Sequence, residues 1–168
     1  HRPTTVGRDG YSPAPVVTPE IHQRVMDTVF LPTLAGMRQD GRPFIGFLYA
    51  GLMINARNEI KVLEFNVRFV DCDMHALLRL QSDLVDLLEA ALDGRLHEVT
   101  ATWDPRPAIG VVLAAHGYPA TVRNGDVIRG LDATHAPDTK IFHAGTKLDG
   151  ANVVTAGGRV LTVCALGS

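Results

Sequence analysis

Apolar residues at helical spacing predict a first helix that begins at Thr18-Pro19-Glu20. Threonine can cap a helix, proline fits its first position, and the glutamate places an acid in the first turn. Gly41 should end the helix, and Pro32 should kink it or divide it in two. The apolar positions continue toward Met37 and include Ile21, Val25, Val29 and Leu34.

A second helix is predicted after Ser82, which can cap it, and before Gly94, which can end it. A shorter helical turn is expected just before it, over residues 75–80. The predicted core face of the second helix consists of Leu84, Leu87, Leu88, Ala91 and Leu92.

Between these helices the pattern predicts a β-hairpin. Residues 44–54 form a nearly continuous apolar run that we expect to be buried on both faces. Residues 55–59 form a turn, and residues 60–69 return as the second strand. Within it, KVLEFNVRF alternates with period two, which places Leu63, Phe65, Val67 and Phe69 on a face that needs a core. The opposite face carries Glu64, Asn66 and Arg68 and is either an ordinary wet surface or a site.

The composition changes around residues 97–107. Short strand-like runs separated by glycines follow, at residues 109–115, 127–128, 140–144, 153–155 and 159–165. This spacing predicts a small, mostly β module. We therefore expect two domains, residues 1–105 and residues 106–168, the second of them incomplete.

Composition narrows the classes of partner. The 168 residues are 46% hydrophobic and 20% charged, with a net charge of −2 and a pI near 6.4. Nothing here predicts binding to nucleic acid, and no apolar stretch approaches the ~20 residues that span a bilayer. Cys72 and Cys164 are the only thiols and lie far apart, so we expect no disulfide framework and a reducing cytoplasm. The start at His1 and the stop just after a strand pattern predict a segment of something longer.

Glu64 and Asn66 are the candidate metal-binding residues of the predicted hairpin. Two residues apart on one strand face, their Cα atoms would be about 6.6 Å apart, and both side chains offer the hard oxygen ligands that Mg²⁺ prefers. Arg68 on the same face could hold a phosphate or a carboxylate. The alternative is that all three side chains simply face water. A separate metal cluster at Asp71, Asp73 and His75 is a weaker alternative, because Asp at a strand-to-helix junction more often caps the next helix.

The segment EFNVR, residues 64–68, resembles the metal-binding strand of ATP-grasp ligases. The phrases YSPAPVVTP, GFLYAGLMI, LRLQSDLV, AALDGRL, GDVI, FHAGT and VTAGGRVLTVCALG resemble, in collinear order, the phosphoribosylamine–glycine ligases, also called glycinamide ribonucleotide synthetases. The resemblance implies an α+β fold: the later half of an ATP-grasp domain, an antiparallel sheet with helices, followed by a β-rich C-terminal domain.

The resemblance also implies a reaction in purine biosynthesis. ATP would phosphorylate the glycine carboxylate, and the amine of 5-phosphoribosylamine would attack the glycyl phosphate. The implied cofactors are ATP and Mg²⁺ or Mn²⁺, with Glu64 and Asn66 as metal ligands. Arg68 would contact a phosphate or substrate group, and Asp71 matches the family's aspartate, so these two are the predicted catalytic residues.

Three loops depart from the family pattern. RPTTVGRDGYSPAP has fewer glycines than the family's loop, FVDCDMHALLRL is one residue shorter, and AAHGYPATVRNGD carries His116 in place of a glycine. The lobe that grips ATP would lie upstream of His1. We therefore expect that this chain alone does not catalyse the ligation. Two alternatives remain: a non-catalytic relic that binds or assembles with itself or with a separate amino-terminal half, and a ligase retargeted to another amine or carboxylate.

Overall fold

The computed structural model of the protein describes residues 9–133 and 135–167. Its α-helices are α1 (Pro19–Val25), α2 (Leu31–Gln39), α3 (Met74–Arg79) and α4 (Leu84–Leu92). A π-helical turn covers Met26–Phe30, and 3₁₀ turns cover Asp71–Asp73 and Leu96–Glu98. Its strands are β1 (Asp9–Ser12), β2 (Tyr49–Ile54), β3 (Ile60–Asn66), β4 (Ala108–Ala114), β5 (Thr139–His143), β6 (Thr146–Asp149), β7 (Asn152–Thr155) and β8 (Arg159–Leu166).

The chain folds as two compact units that alternate along the sequence. We call the described residues of 13–69 and 81–102 the hairpin unit, and those of 1–12, 70–80 and 103–168 the sheet unit. The predicted α+β class, with antiparallel sheets, is confirmed. The predicted boundary near residue 106 stays a prediction. The two compact units do not follow this boundary, because β1 and α3, from the first part of the chain, belong to the same unit as the later strands.

The first helix of the hairpin unit begins as predicted. The Oγ1 atom of Thr18 accepts a hydrogen bond from the backbone N–H of Ile21, and Pro19 opens α1. The predicted division near Pro32 is also confirmed, since the π-helical turn separates α1 from α2 and the proline falls in the first turn of α2. Because proline has no N–H, it cannot donate a helical backbone hydrogen bond at this point. Gly41, with a φ of 72°, ends the helical region.

The predicted hairpin forms, with β2 and β3 antiparallel. Its turn is held by Asn55, whose Oδ1 accepts hydrogen bonds from the backbone N–H groups of Arg57 and Glu59, both at 2.9 Å. One face of the hairpin packs on α1: Ala50, Leu52, Ile54 and Ile60 contact a buried cluster of Ile21, Val25 and Val29.

Two expectations for the hairpin are wrong. Residues 44–48 are not strand, and β2 is not buried on both faces, because Met53 is 57% exposed. The predicted apolar face of β3 is not a core either: Leu63 is 62% exposed, Phe65 and Val67 are also exposed, and only Phe69 of that set is half-buried, with its ring against that of Phe47. The reason is that the four residues do not share one strand face: the pairing with β2 shifts register beside Leu63, and β3 ends at Asn66, before Val67 and Phe69.

The second long helix, α4, is capped one residue later than predicted. Asp83 is the N-cap, and its Oδ1 accepts a hydrogen bond from Val85 N–H at 2.7 Å. Ser82 instead accepts a hydrogen bond from the backbone N–H of Thr102. The predicted core face is correct only in part: Leu84, Leu87 and Ala91 are half-buried, whereas Leu88 is exposed and Leu92 is 72% exposed. Ala90, outside the predicted face, is the buried residue of α4.

The sheet unit contains a four-stranded antiparallel sheet in the order β1-β4-β8-β5, together with the β6-β7 hairpin. The predicted runs at 109–115, 140–144, 153–155 and 159–165 correspond to β4, β5, β7 and β8. The run at 127–128 forms only an isolated bridge, between Val127 and Val154, and β6 lies where no strand was predicted. The predicted helical turn at 75–80 is confirmed as α3. Among the described residues, no helix is long and apolar enough to cross a membrane.

Candidate functional site

The direction in which Glu64 faces is set by an irregularity in the hairpin. Gly51 of β2 is paired with Glu64, whereas the next residue, Leu52, is paired with Val62. Leu63 is therefore left without a partner and forms a β-bulge. Since directly paired residues share one face of a sheet, Glu64 lies on the face of Gly51 and not on that of Leu52.

This bulge keeps the carboxylate away from the apolar layer. Ile60, at the start of β3, packs on the buried cluster of α1 and the π-helical turn. Strict alternation along the strand would place Glu64 on the same side as Ile60, against these apolar side chains. The extra residue moves Glu64 to the opposite, uncovered face, where burial does not oppose its charge.

Glu64 and Asn66 point together. The Nδ2 atom of Asn66 donates a hydrogen bond to Oε1 of Glu64 at 3.1 Å. Glu64 is exposed and Asn66 is half-buried at the end of β3. The pair is therefore open to a ligand, and its carboxylate and amide oxygens are of the type that binds Mg²⁺.

The donor set fits Mg²⁺ or Mn²⁺ bound together with a phosphate ligand. Among the described residues, no three His, Cys, Asp or Glu side chains form a group that could hold a metal ion. Mg²⁺ is commonly held by one or two protein ligands while water and substrate phosphates complete its octahedron. Glu64 and Asn66 match that partial ligand set, whereas a site built only from protein side chains would require more ligands.

Arg68 was predicted to lie on the same strand face as Glu64 and Asn66, but it lies outside the strand. The strand β3 ends at Asn66, and Arg68 follows in a bend, where its Nη1 atom donates a hydrogen bond to the backbone oxygen of Phe69 at 3.2 Å. The side chain is exposed, so its guanidinium remains open to solvent. Alternation could not predict this position because it applies only while the backbone stays extended.

Asp71 lies in the sheet unit and is paired with a residue that the sequence analysis did not single out. Its Oδ2 atom is 2.7 Å from Nε of Arg159, and both side chains are less than one-third exposed. The backbone oxygen of Asp71 accepts a hydrogen bond from Thr162, a buried residue of β8. The sequence offered no sign of this pair beyond the GGR segment, because the partners are far apart along the chain.

The alternative metal cluster at Asp71, Asp73 and His75 is not formed by these three residues. Asp73 instead accepts a hydrogen bond from the backbone N–H of Val70, which stabilises the turn before α3. His75 is buried in α3. Asp73 therefore stabilises the 3₁₀ turn at Asp71–Asp73, whereas α3 receives no side-chain cap hydrogen bond from it.

A second polar cluster in the sheet unit was also missed. The buried Asp104 carboxylate accepts hydrogen bonds from the backbone N–H, Nε and Nη2 of Arg106, and these bonds lower the pKa of Asp104 to about 2. Arg106 also contacts Asp138 at 2.9 Å, so its pKa is raised by both carboxylates. Arg79 donates hydrogen bonds to the backbone oxygen of Asp104 and to Ser12 Oγ. The local signal was Asp-Pro-Arg at 104–106, which brings an acid and a guanidinium together across a proline.

The fold is that of an ATP-grasp type of protein, and comparison with known proteins makes this specific. The sequence model "Phosphoribosylglycinamide synthetase, ATP-grasp (A) domain" matches residues 1–74, and the model "Phosphoribosylglycinamide synthetase, C domain" matches residues 108–168. The chain belongs to the phosphoribosylglycinamide synthetase family.

Curated relatives carry the corresponding name. A phosphoribosylamine–glycine ligase of Xanthomonas axonopodis pv. citri is 62% identical over 167 residues, covering 98% of this chain and 38% of the relative. One from Allochromatium vinosum is 58% identical, covering 99% and 39%. The crystal structure of a phosphoribosylamine–glycine ligase from Thermotoga maritima superposes with a TM-score of 0.73 at 30% identity, covering 98% of this chain and 40% of that one. The chain thus spans less than half the length of these relatives.

Proposed function

We propose that this chain carries the metal-binding strand and the C-terminal sheet of an ATP-dependent ligase that joins glycine to 5-phosphoribosylamine. The names of the relatives, at 58–62% identity across nearly all of the chain, support the substrates. In this reaction ATP transfers its γ-phosphoryl group to the glycine carboxylate. The amine then attacks the glycyl phosphate, which releases phosphate and gives the amide.

The observation that carries the proposal is the hydrogen-bonded Glu64–Asn66 pair on an uncovered sheet face. These two side chains would hold Mg²⁺ or Mn²⁺, which neutralises phosphate charge when bound. Arg68, with an exposed guanidinium, would bind a phosphate oxygen or a substrate carboxylate. Asp71, ion-paired with Arg159, would order the segment that begins the turn before α3.

Addition of Mg²⁺ with ATP at millimolar concentration should raise the melting temperature of the chain. A ligand that binds only the native state stabilises it, and an occupied site should give a shift of roughly 2–8 °C for a chain of this size. The shift should disappear in Glu64→Ala, because the carboxylate is the charged member of the pair. Differential scanning fluorimetry measures both.

Glu89→Ala is the matched control, since Glu89 is an exposed glutamate of α4 away from the strand. It should keep the full shift. An equal shift in the native chain and in Glu64→Ala would contradict the assignment of the metal strand, and no shift in either would favour the non-catalytic relic.

A second candidate function is a non-catalytic assembly module, and the exposed apolar side chains of the hairpin unit favour it. Leu63, Val67 and Leu92 are each more than 60% exposed. Monomeric proteins rarely leave such side chains uncovered in number. The expected partner is a second copy of this chain or a separately made amino-terminal half.

A further inference from the structure

We infer that Gly51 is a positioning residue for Glu64: its lack of a side chain leaves the space in which the glutamate carboxylate is held beside Asn66. This inference rests on the metal role proposed for the Glu64–Asn66 pair. It concerns a residue of the neighbouring strand that would contact neither metal nor substrate.

The register of the hairpin places Gly51 directly opposite Glu64. The bulge at Leu63 brings the glutamate to this position, so the two residues share the uncovered face of the sheet. Gly51 is buried although it has no side chain, which shows that neighbouring groups close over its Cα atom.

The space above Gly51 is already filled. A Cβ atom added there would lie 3.1 Å from Cγ of Glu64, 3.7 Å from the backbone oxygen of Glu64 and 3.7 Å from Cε1 of Tyr49. The first of these distances is shorter than an ordinary carbon–carbon contact, for which the optimum is about 3.5–4.0 Å. An alanine would therefore push the Glu64 side chain away.

Backbone conformation does not explain why position 51 is a glycine. Gly51 is not among the residues with positive φ, and its strand conformation is one that alanine also adopts. In an ordinary strand, alanine is more stable than glycine. The constraint on this position that the geometry shows is therefore the space taken by Glu64 and Tyr49.

Glu64 cannot give way without loss at the site. Its Oε1 atom accepts the 3.1 Å hydrogen bond from Asn66, so displacement of Cγ moves the carboxylate relative to the amide. The hydrogen bond that holds the carboxylate beside the amide would then be lost. Loss of a group that orients a metal ligand typically lowers metal affinity by about 10- to 100-fold.

The test is a double-mutant cycle on the full 168-residue chain with Gly51→Ala, Glu64→Ala and the double variant. Urea unfolding without metal reports the steric coupling. Binding of Mn²⁺ in the presence of ATP, followed by electron paramagnetic resonance, reports the site. Gly36→Ala is the matched control, because an added Cβ at Gly36 of α2 meets nothing within 4 Å.

We expect Gly51→Ala to lower the urea midpoint in the native background but not in the Glu64→Ala background, where Cγ is absent. We expect it to weaken Mn²⁺ binding by about tenfold, whereas Gly36→Ala leaves binding unchanged. An equal loss of stability in both backgrounds, or native Mn²⁺ binding in Gly51→Ala, would overturn the inference alone. A native chain that binds no Mn²⁺ with ATP would overturn the proposed metal role and the role of Gly51 with it.

Discussion

At the scale of the residue, Asp104 shows how one contact ties the stability of the sheet unit to pH. Its carboxylate is held by the backbone and the guanidinium of Arg106, and its pKa falls to about 2. The unfolded chain has an ordinary Asp pKa near ~3.9. Because the folded pKa is the lower one, the stabilisation is present above about pH 4 and is lost as the pH falls toward 2.

Asp104→Asn should therefore be less stable than the native chain at neutral pH, and the difference should shrink between about pH 4 and pH 2. Urea unfolding across this range measures it. Asp138→Asn is the control, since Asp138 contacts the same guanidinium from a more exposed position and should contribute little. A constant difference between Asp104→Asn and the native chain at every pH would contradict this linkage.

At the scale of the element, the sequence predicted which segments form and was less successful at their ends and faces. Thr18 was correctly identified as a cap, while at α4 the neighbouring Asp83 caps the helix in place of Ser82. Both residue types cap helices, so local chemistry alone could not choose between them. The bulge at Leu63 was not predicted, because an extra residue in one strand is defined by its pairing with the other.

Asp83→Ala should destabilise the chain by about 1 kcal/mol through loss of the cap to Val85 N–H. Thermal or urea unfolding measures this change. The same substitution at Asp86, an exposed residue in the first turn of α4, should cost less, because only a favourable charge at the helix N-terminus is removed. Equal effects of the two substitutions would contradict the assignment of Asp83 as the cap.

At the scale of the whole molecule, exposed apolar residues are the main departure from an ordinary monomer. Leu92 was predicted to face a core, and the structure leaves it exposed. Periodicity identifies the apolar side of a helix or strand, but it contains no information on whether another element covers that side.

We expect the isolated chain to self-associate at micromolar concentration through its exposed apolar side chains, which include Leu63, Val67 and Leu92. Light scattering measures the mass, and Leu92→Lys should shift the population toward monomer, whereas Lys147→Glu on β6 should not. A clean monomer would argue against the assembly module.

The chain alone should release no ADP that depends on glycine and phosphoribosylamine. Substrate-dependent ADP release would show that the chain is an active ligase by itself.

The sequence by itself determined the family, the α+β class, most of the elements and the two oxygen-bearing side chains on one strand, because these depend on local periodicity and on motifs read along the chain. Only the tertiary structure decided that a bulge moves Glu64 away from the apolar layer, that Gly51 lies against it, and that Asp71 pairs with Arg159. Each of these depends on a residue from another part of the chain, and such distances are set by packing and strand register rather than by any local pattern.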